Sequence, residues 1–209
     1  MLKVIIPCFP RSGTSFLAGL IARMGFCPGP EKWLKTADEH NPHGYYECLP
    51  LMRITKGIME RFGGHIVKNI PLLKPGWCSE LSEDKFRIKT LVENNGIEIF
   101  KDPNLIVLAD LFDELFPEAK WVVIHRDIHE TYRSRFGLPK TFQEWERLTA
   151  KRLDRWQGSR PFHRALNLDY NDFFVDLEGT ILRIGKFLDI ELDDARVASC
   201  AGFFKPGRK

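Results

Sequence analysis

Short runs of apolar and β-branched residues alternate along the chain with longer stretches whose apolar positions recur every three or four residues. The short runs, Leu2 to Ile6, Ile97 to Phe100, Trp121 to His125 and Ala165 to Leu168, show little polar alternation, which predicts strands buried on both faces of a parallel sheet. The longer stretches predict helices over Thr14 to Met24, Pro50 to Phe62, Glu80 to Asn94, Asn104 to Phe116, Asp127 to Phe136, Phe142 to Trp156 and Leu177 to Leu188. Gly25, Asn95-Gly96 and Pro117 are end signals for the first, third and fourth. This order predicts an α/β domain with three layers, α/β/α, and a mostly parallel sheet, whose ligands bind at the carboxyl ends of the strands. Residues 1–209 then form a single domain, with a helical and loop insert at about 26–95. The Pro-, Gly-, His- and Asn-rich segment from Phe26 to Pro50 is the one long irregular stretch, a candidate lid.

The first strand runs into Pro7-Cys8-Phe9-Pro10-Arg11-Ser12-Gly13-Thr14-Ser15 and at once into a helix. A Gly among hydroxyl residues at a strand-to-helix turn aims backbone N–H groups at one point, at the positive end of the helix dipole, which is a ready anion site. The loop is not a Walker A motif, because Gly13 is followed by Thr14 and no Lys precedes the hydroxyl residue. A turn that needs Gly13 only for its backbone is the plainer reading.

Pro-Arg-Ser-Gly-Thr-Ser after a first strand resembles the 5′-phosphosulfate loop of sulfotransferases that use 3′-phosphoadenosine 5′-phosphosulfate (PAPS). The resemblance implies a P-loop NTPase-like sulfotransferase fold, with Arg11, Ser12, Gly13, Thr14 and Ser15 around the phosphosulfate. A sulfuryl group leaving a phosphate builds charge on the bridging and phosphate oxygens, and a cation with N–H donors stabilises it. Arg11 offers planar, permanently charged donors for that task. A second stretch is similar to the family's 3′-phosphate motif: Arg126 at the end of a strand, and Ser134 eight residues later. Eight residues are about two helical turns, so both groups reach one phosphate. For Arg133 and Arg135, solvated charges on a helix are the plainer alternative. The likeness spans about residues 2 to 190.

On the acceptor side, Asn41-Pro42-His43-Gly44-Tyr45-Tyr46-Glu47 is similar to an Asn-Pro-x-Gly-Tyr-x-Glu stretch in one branch of the family, which implies Glu47 as the general base that an attacking hydroxyl needs. Lys101-Asp102-Pro103 resembles the Lys-x-Pro stretch where other branches place a sulfate-contacting Lys, so Lys101 is expected to neutralise the transferring group. Asp102, His40 and His43 are the alternative bases. Trp33, Tyr45, Tyr46, Phe62 and Trp77 are candidates to shape the acceptor pocket. His125 and His129 stand without an HExxH pattern, and no metal site is read. Residues 205–209, with Gly207-Arg208-Lys209 in an order unlike the family's closing Arg-Lys-Gly loop, read as a tail.

Composition changes this picture in three places. The chain is 44% hydrophobic and 28% charged, which excludes a disordered segment and suits a buried core. Net charge is only +3, too small to imply a nucleic-acid partner. Between residues 120 and 164, however, 11 Lys+Arg face 5 Asp+Glu, a net of +6 that leaves −3 for the rest; such a local field favours a polyanionic ligand. Five cysteines form no CxxC pair and read as reduced thiols. With no apolar run near the length of a transmembrane segment, and an N-terminal run that ends at Pro7, the expectation is a cytoplasmic protein acting on a small-molecule or saccharide acceptor. A P-loop small-molecule kinase, or a non-catalytic nucleotide-fold module that binds a polyanion, stays open beside the sulfotransferase reading.

Overall fold

Four short strands, β1 (Val4–Pro7), β2 (Ile99–Asp102), β3 (Lys120–His125) and β4 (Leu166–Asp169), form one sheet in the order β2-β1-β3-β4, with every pairing parallel. The helices in chain order are α1 (Thr14–Arg23), α2 (Leu49–Arg61), α3 (Ser82–Asn94), α4 (Ala109–Leu115), α5 (Ile128–Arg133), α6 (Phe142–Gln157), α7 (Asp172–Val175), α8 (Leu177–Phe187) and α9 (Asp194–Phe203). This computed structural model describes residues 1–39, 41–65, 69–71, 73–134 and 140–204. His40, Arg135, Phe136 and residues 205–209 lie outside the described residues.

Strand side chains point alternately to the two faces, and the core divides accordingly. Val4, Ile6, Ile99, Val122, Ile124 and Leu168 pack with α1, α8 and α9. Ile5, Phe100, Trp121 and Val123 pack with α2, α3, α4 and Trp156 of α6. Trp121 and Trp156 are fully buried with ring centroids 5.7 Å apart, and truncating either to Ala costs ~3–5 kcal/mol. Because all four strands run the same way, Pro7, Asp102, His125 and Asp169 end on one edge of the sheet. That edge carries the loop after β1, Lys101, Arg126 and Tyr170.

Boundaries differ from the sequence expectation in ways that matter for the site. β2 starts and ends two residues later than Ile97 to Phe100, because Lys101 and Asp102 pair in register with Ile6 and Pro7 of β1. Both charged residues are therefore inside the sheet and buried. The stretch Asn104 to Phe116 is not one helix. The Asp102 carboxylate accepts from the Asn104 N–H at 2.7 Å and caps a 3-10 turn, Pro103–Ile106, before α4 begins at Ala109. α9 was not anticipated. Asp193 caps it by accepting from the Arg196 N–H at 2.7 Å, and Val197, Cys200 and Phe203 are buried.

Candidate active site

The chain leaves β1, turns through two left-handed residues, Arg11 (φ 65) and Gly13 (φ 94), and enters α1. A left-handed Arg is sterically unfavourable and such conformations gather at functional sites. Ser12 braces the turn by donating its hydroxyl to the Phe9 carbonyl at 2.7 Å. A Cβ on Gly13 would sit 2.6 Å from the Tyr170 ring, so this position needs Gly for space as well as for φ. The first α1 backbone bond runs from the Leu17 N–H to the Gly13 carbonyl at 3.0 Å. The N–H groups of Thr14, Ser15 and Phe16 precede that ladder. No side chain caps α1, and its first turn holds no acid. Its positive end is thus left for an external anion.

Two guanidinium groups stand beside this turn. Arg126 donates to the Arg11 carbonyl at 3.5 Å and to Glu130 at 2.8 Å, and lies over the Tyr170 ring at 4.5 Å. Burial lowers the Arg11 pKa from its ordinary value, and the Arg126 charge acts in the same direction. The two positive charges repel, and an anion near both offsets that repulsion. Ser134 follows α5 as its cap and donates to the Thr131 carbonyl at 3.1 Å. It makes no direct bond to Arg126 among the described residues.

On the other side of the turn, Lys101 gathers three partners. Its ammonium donates to Glu47 Oε1 at 2.6 Å, to Ser15 Oγ at 3.0 Å and to the Tyr45 carbonyl at 3.2 Å. Lys101 and Glu47 are 3% and 7% exposed, so this is a buried ion pair whose members depend on each other. Glu47 arrives by a return loop. Leu34 bridges Cys48 antiparallel, the Lys35 N–H donates to the Glu47 carbonyl at 2.9 Å, and the Tyr45 hydroxyl donates to the Asp38 carboxylate at 2.8 Å. Burial, then Asp38, pushes the Tyr45 phenol up to about 12, so it remains a donor. Lys35 adds a second cation 3.7 Å from Glu47 Oε2.

Asp102 points to the opposite face from Lys101. Its carboxyl bonds Thr55 of α2 and is pushed up to about 7 by burial, against the Thr55 and Asn104 hydrogen bonds that favour the charged form. His43 is exposed and rests edge-on against Phe203 at 5.3 Å. The nominated residues Arg11 and Arg126 meet, and so do Ser15, Lys101 and Glu47; Ser134, Asp102 and His43 do not join either cluster. Tyr170, Thr55 and Asn104 had no assigned role in the sequence reading. A Tyr one residue past a strand end was the available signal for the first.

A cavity of about 530 Å³ lies away from this edge, between Trp77 and the ends of α4 and α6. Most of its charges are already paired, among them Lys85 with Glu114 at 2.5 Å and Arg155 with Asp110 at 3.1 Å. Arg164 also bonds Asp113. Several cations of the basic stretch at 120–164 thus join α4 to the α6 end, where the sequence reading had left them for a polyanion. Among the described residues no group of His, Cys, Asp and Glu is placed to hold a metal ion, and no helix is long and apolar enough to cross a membrane.

A strand–turn–helix anion cradle at the carboxyl edge of a parallel sheet, flanked by cations and a carboxylate, defines a P-loop-like group-transfer protein. The model of the sulfotransferase family matches residues 3–194, and the chain belongs to that family. It is an enzyme of sulfuryl transfer, which sets aside the kinase and non-catalytic readings. Similar solved structures include a sulfotransferase from Mycobacterium tuberculosis (TM-score 0.52, 16% identity, covering 96% of this chain and 70% of that one). Another is from Mycobacterium avium (0.52, 14%, 96% and 67%). A third is a mouse sulfotransferase complexed with PAP (0.51, 16%, 96% and 63%). At these identities the likeness is one of fold. No curated protein sequence matches the chain.

Proposed function

We propose that this chain moves a sulfuryl group from PAPS to the hydroxyl, or amine, of a small-molecule or saccharide acceptor, as a single domain whose insert at about 26–95 forms the acceptor side. The presence of PAP in the mouse relative supports the donor, and the donor set fits it. The cradle supplies N–H groups without a protein cap, and Arg11 and Arg126 supply converging positive charge. PAPS, when bound, brings an activated sulfuryl group on an anionic leaving phosphate. Arg11 and the Ser12 to Ser15 backbone hold the 5′-phosphosulfate, while Arg126 and Ser134 take the 3′-phosphate. Lys101 neutralises the charge that develops as the acceptor O–S bond forms and the S–O bond to phosphate breaks. Glu47 accepts the acceptor's proton. The observation that carries this reading is the Lys101 ammonium, which bridges Ser15 of the cradle and Glu47 within 3.0 Å of each. Five free thiols, four of them buried, support a cytoplasmic location.

Calorimetry with adenosine 3′,5′-bisphosphate tests the donor. The wild type is expected to bind it, and Arg126→Ala to weaken binding by about 10–100-fold, the range for a charged hydrogen bond to phosphate. Unchanged affinity in that variant removes Arg126 from the donor site.

A further inference from the structure

We infer that Asp102 and Thr55 are positioning residues for sulfuryl transfer: on one face of the sheet they fix α2 to the end of β2, and so hold Glu47 against Lys101 on the other. The inference rests on the roles proposed for Glu47 and Lys101 and deepens them.

Two adjacent residues at the end of β2 point to opposite faces of the sheet. Lys101 pairs in register with Ile6, and Asp102 with Pro7. Ile6 belongs to the apolar set packed on α1, whereas Phe100, two residues before Asp102, belongs to the set packed on α2. Both charged residues nevertheless reach the same short segment of chain. Lys101 holds Glu47, one residue before the cap of α2, and Asp102 holds Thr55 in its second turn. The segment 47–55 therefore straddles the strand end and is gripped at both of its ends.

The grip at Thr55 supplies direction. Thr55 and Asp102 are fully buried and Asn104 is buried beside them. The Asp102 carboxyl bonds the Thr55 hydroxyl and accepts the Asn104 N–H at 2.7 Å, while the Asn104 amide donates to Thr55 Oγ1 at 3.2 Å. Two apolar side chains would fill this place without the cost of desolvating a carboxyl. What the polar triad adds is a fixed distance and orientation, because satisfied buried networks rigidify the elements they join. The reactive pair on the other face depends on that rigidity. Lys101 Nζ lies 2.6 Å from Glu47 Oε1 and 3.0 Å from Ser15 Oγ of the cradle. Sliding α2 along the strand end by about 1 Å takes the first contact out of hydrogen-bond range and misplaces the base against the transferring group.

The test compares Thr55→Ser with Thr55→Ala, which differ by one oxygen atom, and adds Thr55→Val, which keeps the shape of Thr without its hydroxyl. Calorimetry measures the affinity of each for PAPS and for adenosine 3′,5′-bisphosphate, which lacks the sulfuryl group that Lys101 meets. Relative to the bisphosphate, PAPS affinity is expected to fall by about tenfold in Thr55→Ala and Thr55→Val and to stay within about twofold of wild type in Thr55→Ser. A loss in Thr55→Ser as large as in Thr55→Ala assigns the effect to packing and overturns the inference. So does an unchanged ratio in Thr55→Ala and Thr55→Val, including one in which both ligands weaken equally. Failure of the donor reading appears separately, as a wild type that binds neither nucleotide. In that case urea titration of Thr55→Ala, Glu47→Gln and the double variant decides the matter. A double variant that loses less unfolding free energy than the two single variants together supports the coupling, and additive losses overturn it.

Discussion

Glu47 and Lys101 are buried together, and each makes the other tolerable. Removing one member of such a pair leaves an uncompensated charge, at ~3–5 kcal/mol. Lys101→Met is therefore expected to lower the unfolding free energy read from urea titration by that amount and to abolish transfer. Glu47→Gln keeps a hydrogen-bond acceptor for Lys101 but removes both its counter-charge and the proton-accepting carboxylate, so a loss of stability accompanies the loss of the base. Its expected signature is bisphosphate binding at wild-type affinity with kcat down by about 10²–10⁴; unchanged kcat assigns the base role elsewhere. Asp102 adds a pH effect of opposite sign to the usual carboxylate. Its folded pKa lies at about 7, above the ordinary 3.8, so the folded state holds more protons than the unfolded one between those values. Stability then falls as pH rises through that window. Urea titrations from about pH 5 to about pH 8 should show a declining midpoint in the wild type and a flatter one in Asp102→Asn. The residue types at 47 and 101 were legible through motif likeness. Their contact was not, because it joins positions 54 apart through a return loop whose shape depends on Asp38, Tyr45 and Cys48.

At the scale of elements, two glycines in helices give opposite expectations. Gly19 of α1 lets Phe203 of α9 and Tyr46 approach so closely that a Cβ would meet their rings at 2.6 and 2.7 Å. Gly19→Val should lower stability by ~1–3 kcal/mol through overpacking. Gly57 of α2 has nothing within 4 Å of an added Cβ, so Gly57→Ala should raise it by ~0.5–1 kcal/mol. Thermal melts of the two variants check both signs. The strands were legible because a fully buried parallel strand is an unbroken apolar run, as in Trp121-Val122-Val123-Ile124. The break before α4 and the whole of α9 were not. A strand-end carboxylate, Asp102, sets the first by capping a 3-10 turn. The second is made of small residues, Ala195, Ala198, Ser199, Ala201 and Gly202, whose helical stripe appears only once Gly19 gives Phe203 a seat.

For the molecule as a whole, the parallel sheet was legible from the alternation of strand and helix, whereas the strand order is visible only in the long-range pairings of β1 with β2 and β3 and of β3 with β4. The same order has a consequence for how the chain acquires its structure. β1 is the earliest of the four strands to be synthesised and sits between β2 and β3. Val4 waits for Ile99 and then Lys120, 95 and 116 positions later. At about 5–20 residues per second that wait is on the order of ten seconds. Through it, the Val4-Ile5-Ile6 segment has both edges unpaired, a template for joining other nascent chains. Pairings so distant in sequence also make folding slow. The interval before β3 has emerged is thus the stage at which edge-to-edge association competes with completion of the sheet.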